Sequence, residues 1–162
     1  MSLKHLFAPL AIGPAELANR IVSTAHQTTL VHEHLPTDDF VAYHEARARG
    51  GTGLIVLEAT AVHPLGLLTS HTLAGYRDEI RPAYERLVKA MRAHETRLFV
   101  QLFHGGREQI ASAPRPPAVS SSAIPSQRFK VEPRALREEE IDRKSTRLNS
   151  SHSLLSRMPS SA

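Results

Sequence analysis

The chain contains no cysteine. It can therefore form no disulfide, carry no thiol nucleophile and offer no thiolate to a metal, and a reducing cytoplasm is the expected compartment. Long apolar runs are missing too. No stretch approaches the roughly 18 consecutive apolar residues of a membrane span, and Met1-Ser2-Leu3-Lys4-His5-Leu6-Phe7 lacks the apolar core of a secretory signal. Nor does the body of the chain carry charge of one sign. The 20 basic residues outnumber the 16 acidic ones, but Arg143, Lys144, Arg147 and Arg157 follow Asp142 with no acid among them, and without them the balance is even. A nucleic-acid surface puts its basic excess on the folded body. Neither nucleic acid nor membrane is expected as a partner.

What is present reads as alternating strands and helices. Two short apolar runs at Leu6–Ile12, broken by Pro9 and Gly13, suit a small hairpin or cap. Arg20-Ile21-Val22-Ser23-Thr24 is rich in β-branched residues and reads as a first strand. Thr37-Asp38-Asp39 offers a helix N-cap followed by acids, and the helix should run to about Arg49 and stop at Gly50-Gly51. Gly53–Ala59 is a continuous apolar run, the pattern of a strand buried on both faces. After Asp78-Glu79, the residues Ile80, Tyr84, Leu87, Val88 and Met91 make one apolar helical stripe, with Pro82 harmless in its first turn. Leu98–Leu102 is a third strand. The order β, α, β, α, β implies parallel pairing and an α/β class.

Beyond that, Ala113–Pro133 is rich in proline and serine and reads as a long surface loop. Pro133–Ile141 approaches another helix, with Glu138, Glu139 and Glu140 suited to its first turn. After Asp142 the text turns serine-rich, basic and aperiodic. The expected organisation is a folded part over 1–141 and a disordered tail over 142–162, foreign to the domain and similar to translated adapter-like sequence.

The third strand is the most informative. It delivers Gln101 and then the turn His104-Gly105-Gly106-Arg107 to one end of a sheet. A carboxamide there donates and accepts at once, which suits the edge of a planar heterocycle; the competing reading is satisfaction of local backbone groups. His104 and Arg107 are expected to brace their own loop. A different chemistry would use His32-Glu33-His34 as an imidazole pair of a metal-dependent hydrolase barrel. That pair lies some ten residues beyond the first strand, in a loop that gives it no rigid support.

Three segments in order carry a resemblance. They are Leu6-Phe7-Ala8-Pro9-Leu10 with Asn19-Arg20-Ile21-Val22, then Gly50-Gly51-Thr52-Gly53 running into Leu54–Thr60, then Gln101-Leu102-Phe103-His104-Gly105-Gly106-Arg107. Together they resemble the N-terminal part of the old yellow enzyme family, which includes ene-reductases and bacterial 2,4-dienoyl-CoA reductases. The resemblance implies a fold: about three β/α units of a TIM (β/α)8 barrel behind a small N-terminal cap. It implies FMN as cofactor, NAD(P)H as reductant and a small-molecule substrate with an activated alkene, with iron–sulfur and FAD groups only in a longer parent. It implies that Thr24, Ala25, His26 and Gln27 pass along the flavin, that Ala59 lets the ring approach the backbone, and that Gln101 bonds the flavin pyrimidine. For Ala59 the competing reading is plain strand packing, and for His26 a hydrogen-bonded structural histidine.

The chain also departs from the family pattern. Ala25 stands where many members have proline, and Gln27 where a threonine or cysteine often adjusts flavin potential. The family's substrate-anion histidines, its proton-donating tyrosine and its phosphate-binding backbone belong to later strands. Tyr43, Tyr76 and Tyr84 lie in the wrong segments for that tyrosine, and Asn149 and His152 do not form the histidine motif. The implied reading is a fragment without catalytic residues of its own, inactive as it stands.

Overall fold

The structure, a computed structural model, describes residues 3–110 and 117–141. The apolar runs at the start form a hairpin of β1 (Leu10–Ile12) and β2 (Ala15–Leu17), turned by Gly13 at φ +56°. The first predicted strand shortens to β3 (Val22–Ser23), and a second hairpin, β4 (Val31–His32) and β5 (Leu35–Pro36), follows. Helix α1 (Asp38–Arg49) starts where Thr37 Oγ1 accepts from the Phe40 amide and ends at Gly50-Gly51, the latter at φ +88°. Strand β6 (Leu54–Ala61) is buried along most of its length. Then come β7 (Leu73–Ala74), α2 (Ile80–Arg92) and β8 (Arg97–Phe103). Beyond residue 116 are β9 (Val119–Ser120) and β10 (Arg134–Ala135).

One sheet contains β3, β6, β7 and β8, with β6 paired to each of the others. β3 is parallel to β6 in the register Val22↔Leu54 and Ser23↔Ile55. β7 is parallel to its far end, Thr60↔Leu73. β8 runs the same way. The Arg97 amide donates to Gly53 O at 3.0 Å at one end, and the Val62 amide to Phe103 O at 3.1 Å at the other. The α/β class with parallel strands follows.

The described residues fall into two compact units, and β6 and β8 each begin in the first and finish in the second. The first holds residues 3–59 and 77–101. Its two helices pack against each other, and its core includes Leu17, Phe40, Leu54, Ile55, Leu57 and Leu87. The predicted stripe of α2 is buried at Ile80, Tyr84, Leu87 and Met91, with Ala83 joining it. Asn19 ties the strand starts together: its Nδ2 donates to Gly51 O at 2.9 Å and its Oδ1 accepts from the Ile21 amide at 2.9 Å. A Cβ on Gly53 would lie 2.7 Å from Asn19 O, so the close approach of those segments requires glycine there.

The second unit holds residues 60–76 and the described chain from Leu102. Ala61, Leu67 and Ala74 form a small core with Tyr76 packed on it. His104 Nδ1 accepts from the Gly106 amide at 3.1 Å, and Arg107 Nη1 donates to Ile124 O at 3.4 Å, so both brace their loop. Where it is described, from residue 117, the proline- and serine-rich stretch holds more structure than a bare surface loop. β9 pairs with β10 in parallel, and Ser126 Oγ lies 2.8 Å from both carboxylate oxygens of Glu108. Polar anchoring to Glu108 supplies what apolar periodicity does not. The awaited helix begins at Glu138 and is described to Ile141. Glu140 reaches back to accept from the Arg137 amide at 2.9 Å and from Arg134 Nη2 at 2.7 Å. The Arg134 hydrogen bond, then the Arg137 amide, hold its carboxyl well below the ordinary range. Residues 142–162, expected to be a disordered tail, lie outside the described residues.

Candidate functional site

Thr24, Ala25, His26, Gln27, Ala59 and Gln101 all fall in the first unit, and His104 and Arg107 in the second. Thr24, Ala25, His26 and Gln27 follow directly on β3; Thr24, His26 and Gln27 are exposed and Ala25 is half-buried. Ala59 and Gln101 each lie two residues before the last residue of their strand, β6 and β8. The Val62–Phe103 hydrogen bond ties those strand ends together, so Ala59 and Gln101 reach the same end of the sheet. Gln101 is exposed, and its carboxamide makes no hydrogen bond to any described residue.

The segment after β3 is held by its neighbours. His26 Nδ1 lies 2.9 Å from Thr24 O. A carbonyl only accepts, so Nδ1 carries the proton in the neutral ring. Nε2 then accepts from the Tyr43 hydroxyl at 2.5 Å. Tyr43 is set by α1 and by Arg47, whose guanidinium carbon lies 3.4 Å from the ring centroid and whose Nη1 donates to Tyr43 O at 2.9 Å. Two residues further on, the Thr28 amide and hydroxyl both donate to Glu58 Oε2, at 2.8 and 2.6 Å.

Sequence reasoning passed over Tyr43 and Glu58 as partners of this segment. For Glu58 a signal existed, since it is the one acid inside an otherwise apolar strand run. Tyr43 gave none, because its pairing with His26 is long-range. Beside it, His44 is buried at 1 % exposure with no hydrogen bond to either ring nitrogen, between the rings of Phe40 at 4.6 Å and Tyr43 at 5.2 Å. Burial first, then Arg47 and His26, lower its pKa to about 4.

The histidines of the metal reading sit elsewhere. His32 ends β4 and His34 lies in the turn before β5, with Glu33 at φ +48° and His34 at φ +68°. Among the described residues no group of three or more His, Cys, Asp or Glu side chains could hold a metal ion. Two histidines on a short hairpin give that reading no support.

A planar heterocycle fits the residues present. Gln101 offers a donor and an acceptor that nothing in the described chain engages, and Ala59 contributes a small side chain near the same end of the sheet. Parallel β/α units with such residues at the C-terminal strand ends define a protein of the β/α-barrel class, whose sites lie at that rim. This chain belongs to the NADH:flavin oxidoreductase / NADH oxidase family, whose sequence profile matches residues 5–148. It is 34% identical over 141 residues to an NADPH dehydrogenase of Listeria monocytogenes serotype 4a, covering 86% of this chain and 41% of that protein. A morphinone reductase variant in complex with tetrahydroNAD superposes with a TM-score of 0.82 at 24% identity, covering 94% of this chain and 46% of that one. The old yellow enzyme from Trypanosoma cruzi gives 0.73 at 25% identity, covering 85% and 44%. The chain thus spans less than half the length of these relatives. The resemblance and the barrel-type α/β fold read from the motifs are borne out.

Proposed function

We propose that this chain carries part of an FMN site, with Thr24, Ala25, His26 and Gln27 along the flavin, Ala59 under the ring and Gln101 on the pyrimidine edge. The whole barrel to which such a part belongs would use NAD(P)H to reduce the activated C=C bond of an enone or a 2,4-dienoyl-CoA, in the cytoplasm. Iron–sulfur and FAD groups would enter only through further domains of a longer parent. When bound, FMN supplies the hydride chemistry at its ring. The chain's own residues bind and orient that ring: Gln101 by donating and accepting, Ala59 by leaving space, and the fixed segment after β3 by offering backbone groups. The carrying observation is Gln101, exposed and unengaged, level with Ala59 at the strand ends of a chain from this family.

The chain of 162 residues is proposed to be inactive. A barrel of this kind takes about 250 residues, and its phosphate site comes from the last strands. β6 is buried, but its flanking strands are open: Val22 on β3 is 43% exposed, and β8 has no fully buried residue. Such edges favour association over a closed pocket. After reconstitution with FMN and gel filtration, the chain should retain far less than one flavin per molecule. It should reduce cyclohexenone with NAD(P)H no faster than free FMN does. Stoichiometric flavin with turnover above free FMN would contradict this.

A further inference from the structure

Glu58 is only 2% exposed and stands one residue before Ala59 on β6. Its Oε2 accepts from both the amide and the hydroxyl of Thr28, at 2.8 and 2.6 Å. The Thr28 hydroxyl in turn accepts from the Leu30 amide at 3.2 Å. Between them Thr29 holds φ +63°, an outlying conformation for a β-branched residue. It persists because both neighbours are fixed. Thr28 is fixed by Glu58, and Leu30 by Thr37, whose hydroxyl donates to Leu30 O at 2.8 Å while it caps α1. At its other end the segment is held to α1 through His26 and Tyr43. The stretch Thr24–Thr28 is thus pinned from two elements, and on the β6 side a buried carboxylate oxygen, Glu58 Oε2, holds its end at Thr28.

Burying a carboxylate is costly, and a neutral side chain could anchor a loop. What the carboxylate adds is a pair of short, directed, charge-assisted bonds to one residue. We propose that Glu58 is a positioning residue for the flavin-facing segment: it sets the path of Thr24–Thr28 before any ligand arrives, so that FMN meets a preformed face. The proposal rests on the flavin reading above and gives Glu58 no contact with the cofactor.

The test uses the whole chain with E58A, E58Q and T28V. One readout is amide exchange in the ligand-free protein; the other is the FMN dissociation constant from amide-shift titration. E58A should speed exchange of the Thr28 amide roughly tenfold to hundredfold, the loss expected for a hydrogen bond to a charged group, and weaken FMN by at least about tenfold. E58Q keeps an acceptor oxygen but loses the charge, so in both readouts it should fall between the native chain and E58A. Exchange within α2 should not change in any variant. T28V keeps the Thr28 amide bond but removes the hydroxyl that donates to Glu58 Oε2 and accepts from Leu30; it should speed Leu30 exchange and weaken FMN, and it carries the test if E58A does not fold. Unchanged FMN affinity in the variants, with native shifts at residues 24–27 intact, would overturn the role of Glu58 and leave the flavin reading standing. So would E58Q behaving like E58A. A native chain showing no saturable FMN shifts at residues 24–27 would overturn both.

Discussion

Lowering the pH from 6.5 to 4 should cost the fold about 3 kcal/mol through His44 alone. The imidazole is buried among the rings of Phe40 and Tyr43, neither nitrogen has a hydrogen-bond partner, and the nearby charged side chain, Arg47, is cationic. Each of these disfavours the imidazolium, so the folded-state pKa falls to about 4 from the ordinary 6.5. The sign follows from proton counting. Between those two values the unfolded chain binds the proton and the folded chain does not, so stability falls as pH drops through 6.5 and levels off below about 4. Replacing His44 with phenylalanine keeps an aromatic ring and removes the proton. Urea unfolding at pH 7 and pH 4 should show the native chain losing about 3 kcal/mol more than H44F does, with other groups cancelling in the difference. Equal losses would mean that His44 is solvated or partnered.

Phe40→Ala should be the most damaging single truncation in the first unit, at about 3–5 kcal/mol. Phe40 is 0% exposed, and its ring packs edge-on against His44 one helical turn away. Its loss leaves a cavity between α1 and its neighbours and opens a path for water to His44. The two effects are therefore coupled. F40A should raise the His44 pKa toward its ordinary value and shrink the acid window, so that F40A and H44F are not additive. Denaturant unfolding at pH 7 gives the first quantity and imidazole titration by NMR the second. A loss under about 1 kcal/mol would place Phe40 outside the core.

Much of this architecture was legible in the sequence, because local signals agreed with tertiary ones. Thr37 and Gly50-Gly51 bound α1 as cap chemistry predicts, and the stripe from Ile80 to Met91 is the buried face of α2. The apolar run into Ala59 became the buried central strand. The candidate site was legible only as a set of positions at or just after strand ends. What fixes it is long-range: Thr28 meets Glu58 across 30 residues and His26 meets Tyr43 across 17, and no periodicity encodes either pairing. The short β7 and the β9–β10 pair went unseen for a similar reason, since two-residue strands are made by their partners rather than by propensity.

Titrating FMN into the isotope-labelled chain and following backbone and side-chain amide shifts tests the flavin site most directly, since weak binding suffices. The predicted result is saturable shifts at Thr24, His26, Gln27, Ala59 and the Gln101 carboxamide, with none in the Leu10–Leu17 hairpin. Shifts confined to other residues, or none at roughly millimolar FMN, would contradict the assignment of this strand-end surface to the flavin.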